Sequence, residues 1–267
     1  MRLVVSLLGL SILACASPRD WYDDPGEMAG SPYKNCEAEV QMDDVLSGDL
    51  AYNNKGYLEL QRNYDADGAV ASVTSYGYDK DGKTLLTIES GPSESEVVQT
   101  VTYSYEKGDL VSMVSETDGS GGYSVRYTYD TGGRRETEKA VFPDSPEMNE
   151  TLTWSWSDGA DGGDIADVES DVSDYATSSV WDKSKLLLSI SADAGTYTVD
   201  QEFSYSDDAA KRLVSSEYMY DAGDSGSGTG TYRFIYDDSD RLTTLKQSLE
   251  SMGYTSDSTT GYDWACD

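Results

Sequence analysis

Three stretches bring carboxylates close enough to act together: DADG at 65–68, DKDG at 79–82 and DGADGGD at 158–164. Two chemistries suit such spacing. One is calcium binding, which needs six to eight oxygens around the ion. The other is a carboxyl pair working as acid and base across a glycosidic bond. None of the stretches has the alternating Asp pattern closed by a distal bidentate Glu. Among 50 acidic residues some adjacency is unavoidable, and no pair stands out. Turn chemistry accounts for all three. The chain has no histidine, which removes the commonest general base and every Ser-His or Cys-His arrangement. No glycine-rich phosphate loop joins a strand to a helix, and no basic patch appears along the chain. The expectation is a non-enzyme without cofactor or bound metal.

Three cysteines carry the remaining chemistry: Cys15, Cys36 and Cys266. Residues 1–15, MRLVVSLLGLSILAC, begin with Arg2 and continue as an apolar run over 3–14. That run is too short for a permanent transmembrane helix and has the length of a signal-peptide core. Ile12, Leu13, Ala14 and Cys15 resemble a bacterial lipobox, with an aliphatic residue three before the cysteine and a small one immediately before it; Leu13 stands where Ala or Ser is more usual. The resemblance implies removal of residues 1–14, diacylglyceryl transfer to the Cys15 thiol and acylation of the new amino terminus. Two or three acyl chains anchor stably where one binds marginally. Ala16 is not the aspartate of inner-membrane retention, so in a Gram-negative cell the resemblance implies an outer-membrane lipoprotein on the periplasmic or surface side. An ordinary secretory signal ending in a chance cysteine is the alternative.

Cys36 and Cys266 form an even pair in an oxidising compartment, so a disulfide between them is expected. Two free thiols or an intermolecular bridge are the other possibilities. Two cysteines without histidine do not make a structural zinc site. Residues 15–44 contain Pro18, Pro25 and Pro32 and no sustained periodicity, which reads as the lipidated end and a flexible tether. Residues 45–267 read as one domain, because the even spread of Tyr and Gly offers no place to divide them.

An aromatic ladder ending in an acid and a glycine recurs through that domain. Anchored on its last aromatic, it appears at Tyr64, Tyr78, Tyr105, Tyr129, Trp156, Trp181, Tyr205 and Tyr236. Each unit reads as strand, tight turn, strand: the strand before the anchor alternates aromatic with Ser, Thr or charge. The acid then accepts from backbone N–H groups two residues on, and the glycine permits positive φ. Asp65 with Gly68, Asp79 with Gly82, and Asp130 with Gly133 show this best, and Asp237 follows Tyr236.

IYDDSDRLTTLKQ, TYDTGGRRETEKA and YDKDGKTLLTI make the chain similar to the YD-repeat (Rhs-repeat) family, whose unit runs aromatic, any, Tyr-Asp, two residues, Gly-Arg-Leu and a strand. Tyr236, Asp237, Arg241 and Leu242 match in order, with Asp240 in place of glycine; Tyr129, Asp130, Gly133 and Arg134 match, with Arg135 in place of leucine. The resemblance covers about residues 50–250 and implies a long antiparallel sheet that coils on itself. The chain is too short for the hollow toxin shell of large members. The expected fold is therefore all-β: an antiparallel sheet of YD-like hairpin repeats forming a curved open sheet or partial barrel, its edges protected by acidic residues.

The formal charge of −31 repels nucleic acid, and repels anionic lipid unless divalent cations intervene. The functional expectation is a cell-envelope lipoprotein held to the membrane by its lipid, acting as a binding or structural module for a protein, glycan or lipid partner. A carrier holding an apolar ligand on the concave aromatic face is the second reading, and a carboxylate-dependent hydrolase the third.

Overall fold

In the computed structural model the described residues are 33–266, apart from 83, 160, 161, 209, 210, 224, 225 and 252. The expected signal segment and the expected lipidation site Cys15 lie outside them. Alternating ladders and turn residues produce eighteen strands: β1 Cys36–Met42, β2 Val45–Tyr52, β3 Leu58–Tyr64, β4 Val70–Tyr78, β5 Leu85–Gly91, β6 Gln99–Glu106, β7 Asp109–Thr117, β8 Ser120–Tyr129 and β9 Arg135–Val141. They continue as β10 Glu150–Asp158, β11 Asp164–Ser170, β12 Ala176–Trp181, β13 Leu187–Asp193, β14 Thr198–Tyr205, β15 Leu213–Asp221, β16 Ser227–Tyr236, β17 Leu242–Ser251 and β18 Tyr254–Cys266.

Each strand pairs antiparallel with the next, and β1 pairs with β18 from Cys36 opposite Cys266 to Met42 opposite Thr260. The sheet is therefore a closed 18-stranded barrel. The expected open sheet or partial barrel is corrected by that seam, and no sheet edge remains among the described strands for acidic residues to protect. β1 also lies within the stretch expected as tether, so the barrel begins at Cys36 and not at residue 45. Residues 158–171 and 221–230, whose Gly and Asp content reads as long loops at the sheet's edges, instead contribute the strands at 164–170 and from 227 onwards.

Closure has a local cause. The pairing shifts by one residue at Tyr52, Tyr78, Tyr105, Tyr129, Trp181, Tyr205 and Tyr236, always where an even-numbered strand ends. Each such bulge bends the strand and increases its twist, and repetition at the same height coils the whole sheet.

One rim carries Tyr33, the start of β1, the end of β18 and the turns after the even-numbered strands β2 to β16; it is called the terminal rim below. The opposite, distal rim carries the remaining connections. Following the pairing from Ala38 near the terminal rim through Leu50, Gln61, Thr74, Ser90 and Gln99 leads to Thr117 at the distal rim. Right-twisted strands tilt in one sense around a barrel. That sense, with the Asp79 N–H directed to the Thr84 carbonyl, puts the face bearing Leu50, Thr74 and Ser90 inside. Burial agrees: Leu50, Val125, Ala166, Phe234 and Leu242 on this face are buried. Outward positions are mostly polar, as in Thr198, Asp200, Glu202 and Ser204 of β14, with Val70, Val114, Met219 and Ile235 among the apolar exceptions.

Core packing runs along the wall. The apolar clusters join neighbouring strands: Trp154 with Ala166 and Val168, Phe234 with Leu242 and Leu245, and Tyr33 with Ala38, Leu50, Tyr52 and Leu58. None of these clusters crosses the ring. Eighteen strands are enough to leave a lumen, and the inner side chains form its lining.

Candidate functional site

Every even-numbered strand delivers an aromatic residue to the inner side of the terminal rim: Tyr52, Tyr78, Tyr105, Tyr129, Trp156, Trp181, Tyr205, Tyr236 and Trp264. Six of these rings reach back to the preceding hairpin and donate to a backbone carbonyl where its return strand opens. Tyr78 bonds Leu58 O at 2.6 Å, Tyr129 Leu110 O at 2.8 Å, Tyr205 Leu187 O at 2.9 Å and Tyr236 Leu213 O at 2.9 Å. The indoles of Trp156 and Trp264 do the same to Arg135 O at 2.7 Å and Leu242 O at 2.6 Å. The girdle thus laces six of the units to their predecessors.

The turn acids sit just beyond it, in the turns at the tip of the rim. Asp130 Oδ1 accepts from the N–H groups of Gly132 and Arg134, and Asp237 Oδ1 from those of Ser239 and Arg241. Both carboxyls are held below their ordinary pKa. For Asp130 the leading cause is the Arg134 N–H bond. For Asp237 desolvation opposes the bonds from Arg241, which prevail with that from Ser239. Asp79 accepts from Thr84 in the same way. The left-handed slot that follows is filled by Gly82 and Gly133, but also by Lys185 (φ 64°) and Asp240 (φ 66°).

Tyr64 does not belong to this girdle. It ends β3 at the distal rim, and its hydroxyl bonds the outer-face Asp49 carboxylate. Asp65 makes the same kind of turn there, accepting from Asp67 and Ala69, with Gly68 in the left-handed region. The true first member is Tyr52, 26 residues before Tyr78 and followed by Asn53, whose Oδ1 takes the acid's role by accepting from Lys55 and Tyr57. Extending the period backwards from Tyr78 finds Tyr52, and extending it forwards from Tyr236 finds Trp264.

Below the girdle the inner wall continues in rings. Tyr76, Tyr103 and Tyr123 sit on alternate strands, and burial pushes the Tyr76 and Tyr103 hydroxyls up to about 12. Tyr218 stacks on Tyr232 at 5.7 Å, Tyr197 on Tyr220 at 6.0 Å and Trp154 on Trp156 at 6.1 Å between ring centres. Gly228 and Gly230 make room for two of these rings: a Cβ on Gly228 would meet Tyr220 at 2.7 Å, and one on Gly230 would overlap Tyr218. Between the aromatics lie hydrogen-bonded amides and hydroxyls, such as Gln201 with Ser216 at 2.7 Å and Gln99 with Ser115 at 3.1 Å.

Two units depart from the pattern, the β11 unit with Asp164 and Ala166 where others have leucine, and more sharply the β9 unit. The residue opening the return strand is Leu58, Leu85, Leu110, Leu187, Leu213 or Leu242 in six units, but Arg135 in β9. The inner residue three further on is Ile88, Met113, Ile190 or Leu245 in others and Glu138 here. Arg135 is 7 % exposed; its guanidinium stands 4.6 Å from the Tyr127 ring centre and 5.6 Å from that of Trp154, with Nη1 3.6 Å from Glu138. Its buried Nε has no hydrogen-bond acceptor. Burial raises the Glu138 carboxyl above its ordinary pKa, Arg135 pulls it back, and Glu150 adds to the rise. Glu150 in turn accepts from Ser170 at 2.6 Å and Ser173 at 3.2 Å. This is a polar island in an aromatic wall.

Cys36 and Cys266 are disulfide-bonded across the β1–β18 seam, 230 residues apart in sequence. Among the described residues no three His, Cys, Asp or Glu side chains converge as a metal site. No described helix is long and apolar enough to cross a membrane.

No family model and no curated protein matches the chain. Among solved structures it is similar to a porin-like protein from Bacteroides uniformis, at 12% identity and a TM-score of 0.47 over 89% of this chain and 98% of that one. It is also similar to a porin-like protein from Bacteroides vulgatus, at 9% identity and a TM-score of 0.34 over 86% and 98% of the two chains.

Proposed function

We propose that the chain is a non-enzymatic lipoprotein of the bacterial outer membrane, anchored through Cys15, whose barrel stands outside the bilayer and holds an elongated amphipathic ligand in its lumen. The observation that carries this reading is the inner wall: rings of Tyr and Trp at several heights, interrupted by the buried Arg135–Glu138 island. Rings with half-buried faces suit contact with an apolar or flat ligand body. The guanidinium and carboxyl supply charge-assisted hydrogen bonds to its polar end. The outer wall supports placement outside the bilayer, because a lipid-facing barrel needs an apolar band where this one presents Asp200, Glu202, Glu217 and Lys246. The YD-repeat resemblance fits the same picture, a coiled sheet enclosing a chamber.

Native mass spectrometry of protein released gently from membranes tests the reading. A bound small molecule of discrete mass is expected on the wild type and is expected to be lost from Trp154→Ala and Arg135→Leu. Uniformly ligand-free protein from every preparation would contradict it in favour of a purely structural module. Turnover in a panel of glycans and esters would contradict the non-enzymatic part.

A further inference from the structure

The lysines that form no basic patch along the sequence are gathered by the fold at one end. Lys or Arg occurs in the terminal-rim turns after β2, β4, β6, β8, β12, β14 and β16, and in none of the distal-rim connections. The distal connections carry carboxylates instead, among them Asp44, Asp67, Glu94, Asp118, Asp144 and Asp174. At the terminal rim several acids are occupied by backbone N–H groups and by arginines, since Arg134 holds Asp130, Arg241 holds Asp237, and Arg212 bridges Asp208 and Asp240, while Asp81, Glu106, Asp109, Asp207 and Asp238 stay exposed and offset part of the positive charge. Lys34, Lys55, Lys80, Lys107 and Lys183 at this rim are exposed, and among the described residues no ion pair engages them.

We propose that the terminal rim is the face the barrel turns towards an anionic phospholipid surface, with the acidic rim directed away from it. The inference rests on the reading of Cys15 as the lipid-bearing residue. The chain enters the fold at this same rim, where the Tyr33 hydroxyl accepts the Leu242 N–H at 3.0 Å and Cys36 is bonded to Cys266. Attachment alone does not set the orientation: the 18 residues from Cys15 to Tyr33 span up to about 60 Å when extended, enough for the barrel to roll over. Charge decides. Strands of this length, tilted as in barrels, separate the rims by roughly 20–25 Å, whereas screening at physiological salt acts over about 8 Å. Each rim therefore meets a charged surface on its own terms, and the terminal rim, where lysines and arginines offset the acids, is repelled by an anionic surface far less than the distal rim, whose connections hold acids and no base.

The test uses the mature lipidated chain on vesicles of phosphatidylethanolamine with phosphatidylglycerol, and on phosphatidylcholine alone, with brief lysine acetylation read by peptide mass spectrometry. Lys55, Lys80, Lys107 and Lys183 are expected to react about threefold or more slowly on the anionic vesicles. Lys139 and Lys246 of the outer wall serve as references and are expected to be unchanged. Replacing the four rim lysines by Gln, with the change in orientation read by quenching of a fluorophore on the distal rim, is expected to abolish the preference while the protein still floats with the vesicles. Equal acetylation of rim and wall lysines on protein that floats with anionic vesicles would overturn the proposal. The mass of the amino-terminal peptide reports acylation separately. If acyl chains are absent, the same readout on protein coupled through Cys15 to a maleimide lipid decides the orientation.

Discussion

Arg135 and Glu138 occupy positions that hold leucine and isoleucine in the β5 and β13 units, and the barrel shows no structural need for charge there. Replacing a buried ion pair by apolar residues of similar volume is often neutral or stabilising, by 1–4 kcal/mol, whereas removing one partner is destabilising by about 3 kcal/mol or more. R135L/E138I, which copies Leu85 and Ile88, is therefore expected to match or exceed the wild type in thermal stability while losing ligand, and R135L alone to be less stable. Calorimetric melting of the three proteins checks both. The pH dependence has a definite sign. Glu138 binds its proton more tightly in the folded chain than in the unfolded one, so its contribution is full below the unfolded pKa and is lost as pH rises through the folded value. The advantage of the double variant should grow from about pH 4 to pH 7. Parallel stability curves would contradict the assignment. This island was legible only in part: Arg135 stands out as a departure from the repeat's leucine, but its inward direction depends on the bulge at Tyr129.

At the scale of the hairpin, the girdle bonds tie neighbouring units by side chain as well as by ladder. Tyr236→Phe removes one donor and leaves the Leu213 carbonyl without it, which costs about 1 kcal/mol. Tyr254, 81 % exposed at the distal rim, provides the contrast, and Tyr254→Phe should leave stability unchanged. Urea unfolding of both checks the difference; equal midpoints would remove the girdle from the account. The strands and turns were readable because period-two alternation and Asp-plus-Gly turns are local signals. Phase was less readable. YDADG at 64–68 looks like YDKDG at 78–82 yet turns at the opposite rim, because only the spacing, 14 residues against about 25, separates them. Asn53 replaces the acid in the unit that does belong, so a search for Tyr-Asp passes over it.

Closure belongs to the whole molecule and is the property least visible along the chain, since it depends on stagger summed over eighteen strands. The cysteine pair was its only sequence sign, bringing the two ends together without saying that their strands share hydrogen bonds. With 230 residues between the cysteines, the chain-entropy model assigns the disulfide about 5 kcal/mol as an upper value. C36S/C266S should lose several kcal/mol in urea unfolding and keep its far-ultraviolet spectrum, because the β1–β18 seam pairs seven residues without the sulfurs. The central claim is that aromatic residues face the lumen and charged ones face water. Single cysteines at successive positions 123 to 128 of β8, challenged with a bulky polyethylene glycol maleimide on the folded protein, test it most directly. Positions 124, 126 and 128 should react and 123, 125 and 127 should not. The reverse alternation would place the rings on the outside of the barrel and contradict the account.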